Sequence, residues 1–156
     1  MNFINSHRNV KLTIEDSLLK RLEKLGVSSY PNECGGFLVG YYSDNNTTLQ
    51  VTDSILPKKQ KSSSFLFERS IDGIKDIFIK LFSSKKYFYI GEWHTHPNGT
   101  SLYSQIDLNA MVEIANCKTV SITNPILLIL SIGRKKTHDF SIYIYDKKGL
   151  YKYEQN

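Results

Sequence analysis

The segment Ile126–Ile132 constrains the fold more than any other part of the sequence, because it is apolar at every position but one. A continuous apolar run of this length, bounded by polar segments, is typical of a central strand in a covered sheet. It is also far shorter than the roughly 20 apolar residues that a membrane-spanning helix needs. We therefore expect a central strand in a sheet with helices packed on it, and no membrane span.

The spacing of apolar residues predicts the remaining elements. Helices are expected at Thr13–Leu25, Ser70–Phe82 and Ser104–Cys117. In the first helix we expect Thr13 and Asp16 to form a capping pair and Gly26 to provide the C-terminal stop. The other predicted strands are Phe37–Tyr42, Thr48–Leu56, Phe65–Phe67, Tyr87–Thr95, Asp139–Tyr145 and Gly149–Tyr153. This order predicts an α/β (α+β) fold with a mixed β-sheet flanked by helices, in which the alternating segment Asp139–Tyr145 is a half-buried strand.

Length and composition indicate a single domain spanning residues 1–156. The cysteines, Cys34 and Cys117, are too few for a disulfide framework or a cysteine-rich zinc finger. Because Met1–Val10 also lacks the apolar core of a signal peptide, we expect a cytoplasmic protein. The net charge of +5 is dispersed in short clusters without a nucleic-acid recognition motif. We therefore expect solvated loops and no nucleic-acid partner, with steering toward an acidic protein partner as the alternative.

The most informative residues are two histidines, His94 and His96, at the end of a predicted strand. Side chains alternate along a strand, so both imidazoles face the same side. Pro97 follows directly and ends the strand, where a site can open to solvent. Two imidazoles at this spacing can hold one metal ion, although such a pair taken alone is more often structural or a surface feature.

Asp107 supplies a third ligand from the beginning of the predicted helix Ser104–Cys117. Two histidines and one carboxylate match a catalytic zinc site, which uses three protein ligands and leaves a fourth position to water. Ser104 and Asp107 also have the spacing of an ordinary helix capping box, and the two interpretations are compatible.

A hydrolytic zinc site also needs a base, and Glu33 at the start of a predicted strand is the candidate. The Ser104 hydroxyl is placed to donate to a developing oxyanion. Glu92 shares the strand parity of the histidines and is a candidate for orienting one of them. The alternatives are a surface role for Glu33 and a nucleophilic role for Cys34, which lacks a nearby basic group.

Together these residues resemble the motif of the JAMM (MPN+) metallopeptidases. That motif is a distant Glu, then His-x-His-Pro, six residues, Ser, two residues and Asp. Here it reads Glu33, His94-Thr-His96-Pro, Ser104 and Asp107 without a gap. The resemblance implies a JAB/MPN domain of cytidine-deaminase-like fold and hydrolysis of amide bonds after the C-terminus of ubiquitin-like proteins. It also implies that His94, His96 and Asp107 bind Zn²⁺, that Glu33 is the general acid/base and that Ser104 stabilises the tetrahedral intermediate.

Within that family, the segment Tyr89–Pro97 is similar to the short prokaryotic JAB-domain proteins of CBASS anti-phage operons. Those proteins are deconjugating proteases that release the C-terminus of a cyclic-nucleotide synthase from its targets. One departure is Tyr103, where relatives often have proline before the serine.

The predicted substrate is a protein with an extended C-terminal tail that adds as a strand beside the site. We expect Leu56–Phe67 to form one wall of the channel, and the lysines at Lys58, Lys59 and Lys61 to meet an acidic partner.

Several related functions share this motif. A peptidase that processes ubiquitin-like or sulfur-carrier proteins has the same chemistry and differs only in substrate. A protein similar to the RadC group has a loop close to His94–Gly99. A non-catalytic MPN scaffold is disfavoured, since such relatives lose ligands and here all five positions are filled. A nucleoside deaminase is excluded, because Cys34 and Cys117 lack the Pro-Cys-x-x-Cys spacing that its zinc requires.

Overall fold

The computed structural model describes residues 1–43, 47–57, 75–118, 120–147 and 149–156. The described helices are α1 (Asp16–Ser29), α2 (Lys75–Lys85) and α3 (Gln105–Asn116). The described strands are β1 (Asn2–Asn5), β2 (Val10–Ile14), β3 (Gly35–Ser43), β4 (Thr48–Ile55), β5 (Phe88–Pro97), β6 (Ile126–Ile132), β7 (Thr137–Asp146), β8 (Gly149–Lys152) and β9 (Glu154–Gln155). No helix in this described part is long and apolar enough to cross a membrane.

All described strands belong to one sheet, in the order β8-β7-β6-β5-β3-β4-β2-β1-β9. The pairs β5–β6 and β2–β4 are parallel and the other neighbours are antiparallel, so the mixed sheet predicted from the sequence is confirmed. Every residue of β6 is buried between β5 and β7, which confirms its predicted central position. The parallel register places His94 beside Ile129 and His96 beside Ser131.

Helices cover both faces of the sheet, which explains why β6 is apolar throughout. Leu128 and Leu130 point into the core that contains the buried leucines of α1. Leu127 and Ile129 point the other way, into the core that Met111 of α3 also enters. Each face therefore buries alternate residues of the same strand, and α3 lies on the face toward which His94 and His96 point.

The predicted first helix is wrong at both ends. Thr13 and Ile14 lie in β2, where they pair with β1 and β4, and α1 begins at Asp16 without a side-chain cap from Glu15. Gly26 does not end the helix, which continues to Ser29. Its buried position allows close approach to β5, since a Cβ there would lie 2.8 Å from Cγ2 of Thr95. Tertiary packing of the helix on β5 therefore overrides the local stop signal.

Two further expectations need adjustment. The segment Ser141–Asp146 of β7 is buried throughout rather than half-buried, because hydrophobic cores lie on both of its faces.

The predicted helix Ser70–Phe82 is described only from Lys75, where α2 begins, and it ends later, at Lys85. The predicted strand Phe65–Phe67, the three lysines at 58, 59 and 61, and all of the proposed wall beyond Pro57 lie outside the described residues.

Gly91 fixes the path of β5 ahead of the histidines, and its replacement by alanine should destabilise the fold. Its φ of 153° favours glycine, and a Cβ there would lie 2.0 Å from the carbonyl oxygen of Ile126. We expect Gly91→Ala to lower the free energy of unfolding by at least about 3 kcal/mol, measured by urea denaturation. Gly99→Ala is the control, because the nearest atom to its new Cβ is 3.1 Å away. Equal losses in both variants would contradict this explanation.

Candidate metal centre

The end of β5 and the beginning of α3 bring the three predicted ligands together. His94 and His96 project from the same face of β5, and the chain then turns through a short loop to Ser104, which caps α3. Asp107 is the third residue of α3 and is buried, with 4% of its surface exposed. Within the part of the chain that the structure describes, these three residues form the one group whose ligand atoms lie within 4.8 Å of one another.

The spacing of the ligand atoms fits a single zinc ion. Donors on a tetrahedral ion with bonds of about 2.0–2.1 Å lie about 3.3 Å apart. The Nε2 atoms of His94 and His96 are 3.0 Å apart. The carboxylate oxygens of Asp107 lie 3.1 Å from Nε2 of His94 and 3.7 Å from Nε2 of His96. Two imidazoles and one carboxylate, with no thiolate, are also a ligand set that zinc accepts, so the residues present fit the ion that the sequence predicts.

A backbone contact favours one tautomer of His96. Its Nδ1 lies 2.9 Å from the carbonyl oxygen of Thr100. A carbonyl can only accept a hydrogen bond, so Nδ1 carries a proton, and in the neutral imidazole the lone pair of Nε2 is then available to a metal ion. The loop after β5 therefore prepares His96 to act as a ligand.

Asp107 is a candidate ligand and also part of the cap of α3. Its Oδ2 accepts hydrogen bonds from the backbone N–H of Ser104 at 2.6 Å and from the Ser104 hydroxyl at 2.7 Å, while Oδ1 faces His94. Burial acts to raise the pKa of Asp107, but the contacts with His94 and Ser104 outweigh it and hold that pKa below its usual range. The carboxylate is therefore ionised, as a metal ligand must be.

A buried polar network beneath the loop holds it in place. The hydroxyl of Ser101, which is 4% exposed, donates to Oδ2 of Asp139 at 2.6 Å and lies 2.9 Å from the hydroxyl of Ser141. Tyr143 donates to the backbone carbonyl of Ser101 at 3.1 Å. No local motif in the sequence marks these positioning residues, because their proximity depends on the pairing of β6 with β7.

Glu33 lies beside the centre but is not one of the three clustered residues. Gly35 pairs with His94 across the β3–β5 ladder, and the N–H of Thr95 donates to the carbonyl of Cys34. Continuing this antiparallel register, Glu33 lies two residues before β3 and opposite His96, and it is exposed. Cys34 is buried and is not part of the cluster.

Glu92 points to the same face as the histidines but is buried deeper in the sheet. Glu92 is 6% exposed, and its Oε1 has no hydrogen-bond partner within the described residues. Burial raises the pKa of Glu92 to about 8, with the Tyr89 hydroxyl acting in the opposite direction. The interaction found for Glu92 is with Tyr89, and orientation of a histidine by Glu92 remains a proposal.

Removing the Ser101 hydroxyl should weaken metal binding without touching a ligand. Groups that hydrogen-bond metal ligands directly are typically worth 10–100-fold in metal affinity. Ser101 acts on His96 only through the loop, so we expect Ser101→Ala to lower zinc affinity by about tenfold, the lower end of that range. Competition with a fluorescent chelator measures this. Ser84→Ala is the matched control, because that exposed hydroxyl bonds only within α2. Equal zinc affinities in the two variants would show that the network does not support the site.

Comparison with known proteins gives a family match and one curated relative. A family model described as prokaryotic homologs of the JAB domain matches residues 15–144. A protein of Enterobacter hormaechei subsp. hoffmannii named "CD-NTase/cGAS isopeptidase" is 27% identical over 120 residues, which is 76% of this chain and 66% of that protein.

Solved structures show the same fold. A protein from Desulfitobacterium hafniense superposes with a TM-score of 0.62 at 18% identity, covering 90% of this chain and 88% of that one. A protein from Salinibacter ruber gives 0.59 at 17% identity, with coverages of 92% and 88%. A JAB1/MPN domain protein from Archaeoglobus fulgidus gives 0.51 at 16% identity, with coverages of 90% and 92%. At these identities the likeness concerns the fold alone.

Proposed function

Since this chain belongs to the prokaryotic homologs of the JAB domain, we propose that it is a zinc-dependent isopeptidase or peptidase of the JAMM type. Its substrate would be a protein joined through its C-terminus in the manner of ubiquitin. The observation that carries this proposal is the convergence of His94, His96 and Asp107 at distances suited to one zinc ion.

The proposed roles follow from where each residue lies. When bound by His94, His96 and Asp107, zinc would supply Lewis-acid polarisation and a lowered pKa for the attacking water. Glu33, outside the ligand cluster and two residues before β3, would accept the proton of that water and deliver it to the leaving amine. This makes one residue both base and acid in the same cycle.

Ser104 would stabilise the negative charge that develops on the carbonyl oxygen. Its hydroxyl proton is directed at Asp107 in this structure, so the hydroxyl has to rotate toward the substrate in order to donate. The hydrogen bond to the Asp107 carboxylate and the catalytic role would therefore use the same hydroxyl proton at different times. The N–H of Asp107 still donates to the Ser104 oxygen at 3.3 Å and keeps it at the site.

The substrate we propose is a cyclic-nucleotide synthase conjugated through its extended C-terminal tail, in a CBASS anti-phage system. Support comes from the relative named for isopeptidase activity on such a synthase, whose length the match covers only in part. The same centre would serve a peptidase that processes ubiquitin-like or sulfur-carrier proteins, because the chemistry is shared and the tail alone differs.

Cleavage of a panel of C-terminal fusions tests the proposal. Each member joins a reporter to one tail: that of a cyclic-nucleotide synthase, a sulfur carrier or ubiquitin. We expect selective release from the synthase tail, abolished by a chelator and restored by zinc. Release from another tail would move the assignment to that substrate class, and no release by zinc-loaded protein would contradict peptidase activity on these tails.

A further inference from the structure

Three large apolar side chains lie exposed around the cap of α3. Leu102 is 63% exposed, Tyr103 39% and Ile106 51%. They flank Ser104 and end one residue before the ligand Asp107. Apolar side chains gathered at one place on a surface are typical of a binding site, whereas single scattered ones are not. We call Leu102, Tyr103 and Ile106 the cap patch.

Specific contacts of the loop between β5 and α3 keep the cap patch exposed. Ser101 is buried and bonded to Asp139 and Ser141, so the next residue, Leu102, is directed away from the core. Tyr103 packs edge-on against Tyr143, with ring centroids 5.2 Å apart. The polar anchors and this ring contact hold the patch at the surface, so a partner meets a preformed apolar surface.

The position of the patch indicates its occupant. The imidazoles of His94 and His96 retain 18% and 19% exposure, so the ligand face opens to solvent beside the cap of α3. A second copy of the chain seated on the patch would lie over this opening and hinder access to the centre. A substrate tail, in contrast, has to reach this opening in order to place its bond at the candidate ligands, and the cap patch adjoins Asp107 along the chain.

We infer that the cap patch is a specificity subsite that accepts an aliphatic or aromatic side chain of the substrate tail. This inference rests on the proposed function and adds a sequence requirement to it. The patch residues lie within five positions of Asp107 along the chain. Because an extended tail advances about 3.4 Å per residue, we expect the recognised side chain within about three positions of the cleaved bond. Tails with only small or charged residues in that window would be poor substrates. Leu102 and Ile106 supply the adaptable contacts, and Tyr103 supplies a fixed wall.

The test compares substitutions in the patch with an equally exposed position elsewhere. Leu102→Ser, Ile106→Ser and the double variant remove the apolar surface, and their exposure makes them compatible with folding. Ile79→Ser is the matched control, because Ile79 is 54% exposed on α2, which packs near Tyr89 and away from the histidine end of β5. The probe is a fluorescent peptide carrying the synthase tail, used with zinc-loaded protein for binding by anisotropy and as a fusion for KM and kcat.

We expect the double variant to raise Kd and KM at least tenfold, which corresponds to about 1.4 kcal/mol, with kcat and zinc content retained. The control should stay within twofold of the wild type. Replacing the apolar residues of the tail window by serine should raise Kd of the wild type but not of the double variant. Loss of that dependence identifies the patch as the site of contact, which a merely structural effect would not produce.

Other outcomes separate this inference from the proposed function. Patch-dependent binding without cleavage would support the subsite and contradict the peptidase activity. Cleavage with an unchanged KM in the double variant would overturn the subsite and leave the activity standing. Absence of tail binding by the wild type would overturn the subsite, as would wild-type self-association that Leu102→Ser abolishes, because the occupant would then be a second copy.

Discussion

Replacing His94 or Asp107 by alanine should abolish both zinc binding and hydrolysis. With either change only two of the three clustered ligands remain, and two ligands hold zinc far less tightly than the three of a catalytic site. We expect zinc to be lost on dialysis at micromolar concentrations and activity to fall by at least about 10³-fold. Metal analysis after dialysis and cleavage of the synthase-tail fusion measure the two effects on the same preparations.

The two variants should differ in stability, which separates ligation from folding. Asp107→Ala also removes the carboxylate that accepts from the N–H and hydroxyl of Ser104, so it should cost about 1 kcal/mol of unfolding free energy without metal. Asp107→Asn retains an oxygen for the cap and should recover most of that stability but not the metal. His138→Ala is the control for the histidine, since His138 is exposed and outside the cluster. Zinc retained at full stoichiometry by His94→Ala would contradict the assigned centre.

Glu33→Ala and Glu33→Gln should retain zinc and lose turnover. Glu33 lies outside the clustered ligand atoms, so its loss leaves the coordination of zinc by the three ligands intact. A general acid/base contributes about 10²–10⁴-fold to rate, so kcat should fall by that factor while KM for the tail changes little. Steady-state kinetics and metal analysis on the same samples measure this separation.

A matched control removes one negative charge at a glutamate away from the site. Glu113 on α3 is exposed, and Glu113→Gln should leave kcat, KM and zinc content at wild-type values. A Glu33→Gln protein that cleaves at the wild-type rate would remove Glu33 from the mechanism. A Glu33→Gln protein that loses zinc would instead make Glu33 a ligand and require a different base.

Local sequence patterns predicted the two parts of the site separately, at the end of β5 and at the beginning of α3. The alternation of His94 and His96 on β5 and the capping spacing of Ser104 and Asp107 are local properties, and the structure has both as expected. Their convergence required the family motif, because nothing in the spacing places α3 beside the end of β5. The first helix shows the opposite case. Thr13 pairs with β1 and does not cap the helix, and Gly26 packs against β5 and does not end the helix.

The central strand, the mixed sheet between helices and the residues that meet at the candidate centre were all predictable from the sequence. These follow from apolar periodicity and a motif of fixed spacing, which depend on neighbours along the chain. The folded chain was needed to see which carbonyl holds His96, which buried hydroxyls anchor the loop and which apolar side chains stay exposed beside Asp107. Those contacts join β5, β7 and the loop between β5 and α3 across long sequence separations. They exist only once the strands are paired, and no periodicity in the chain encodes them.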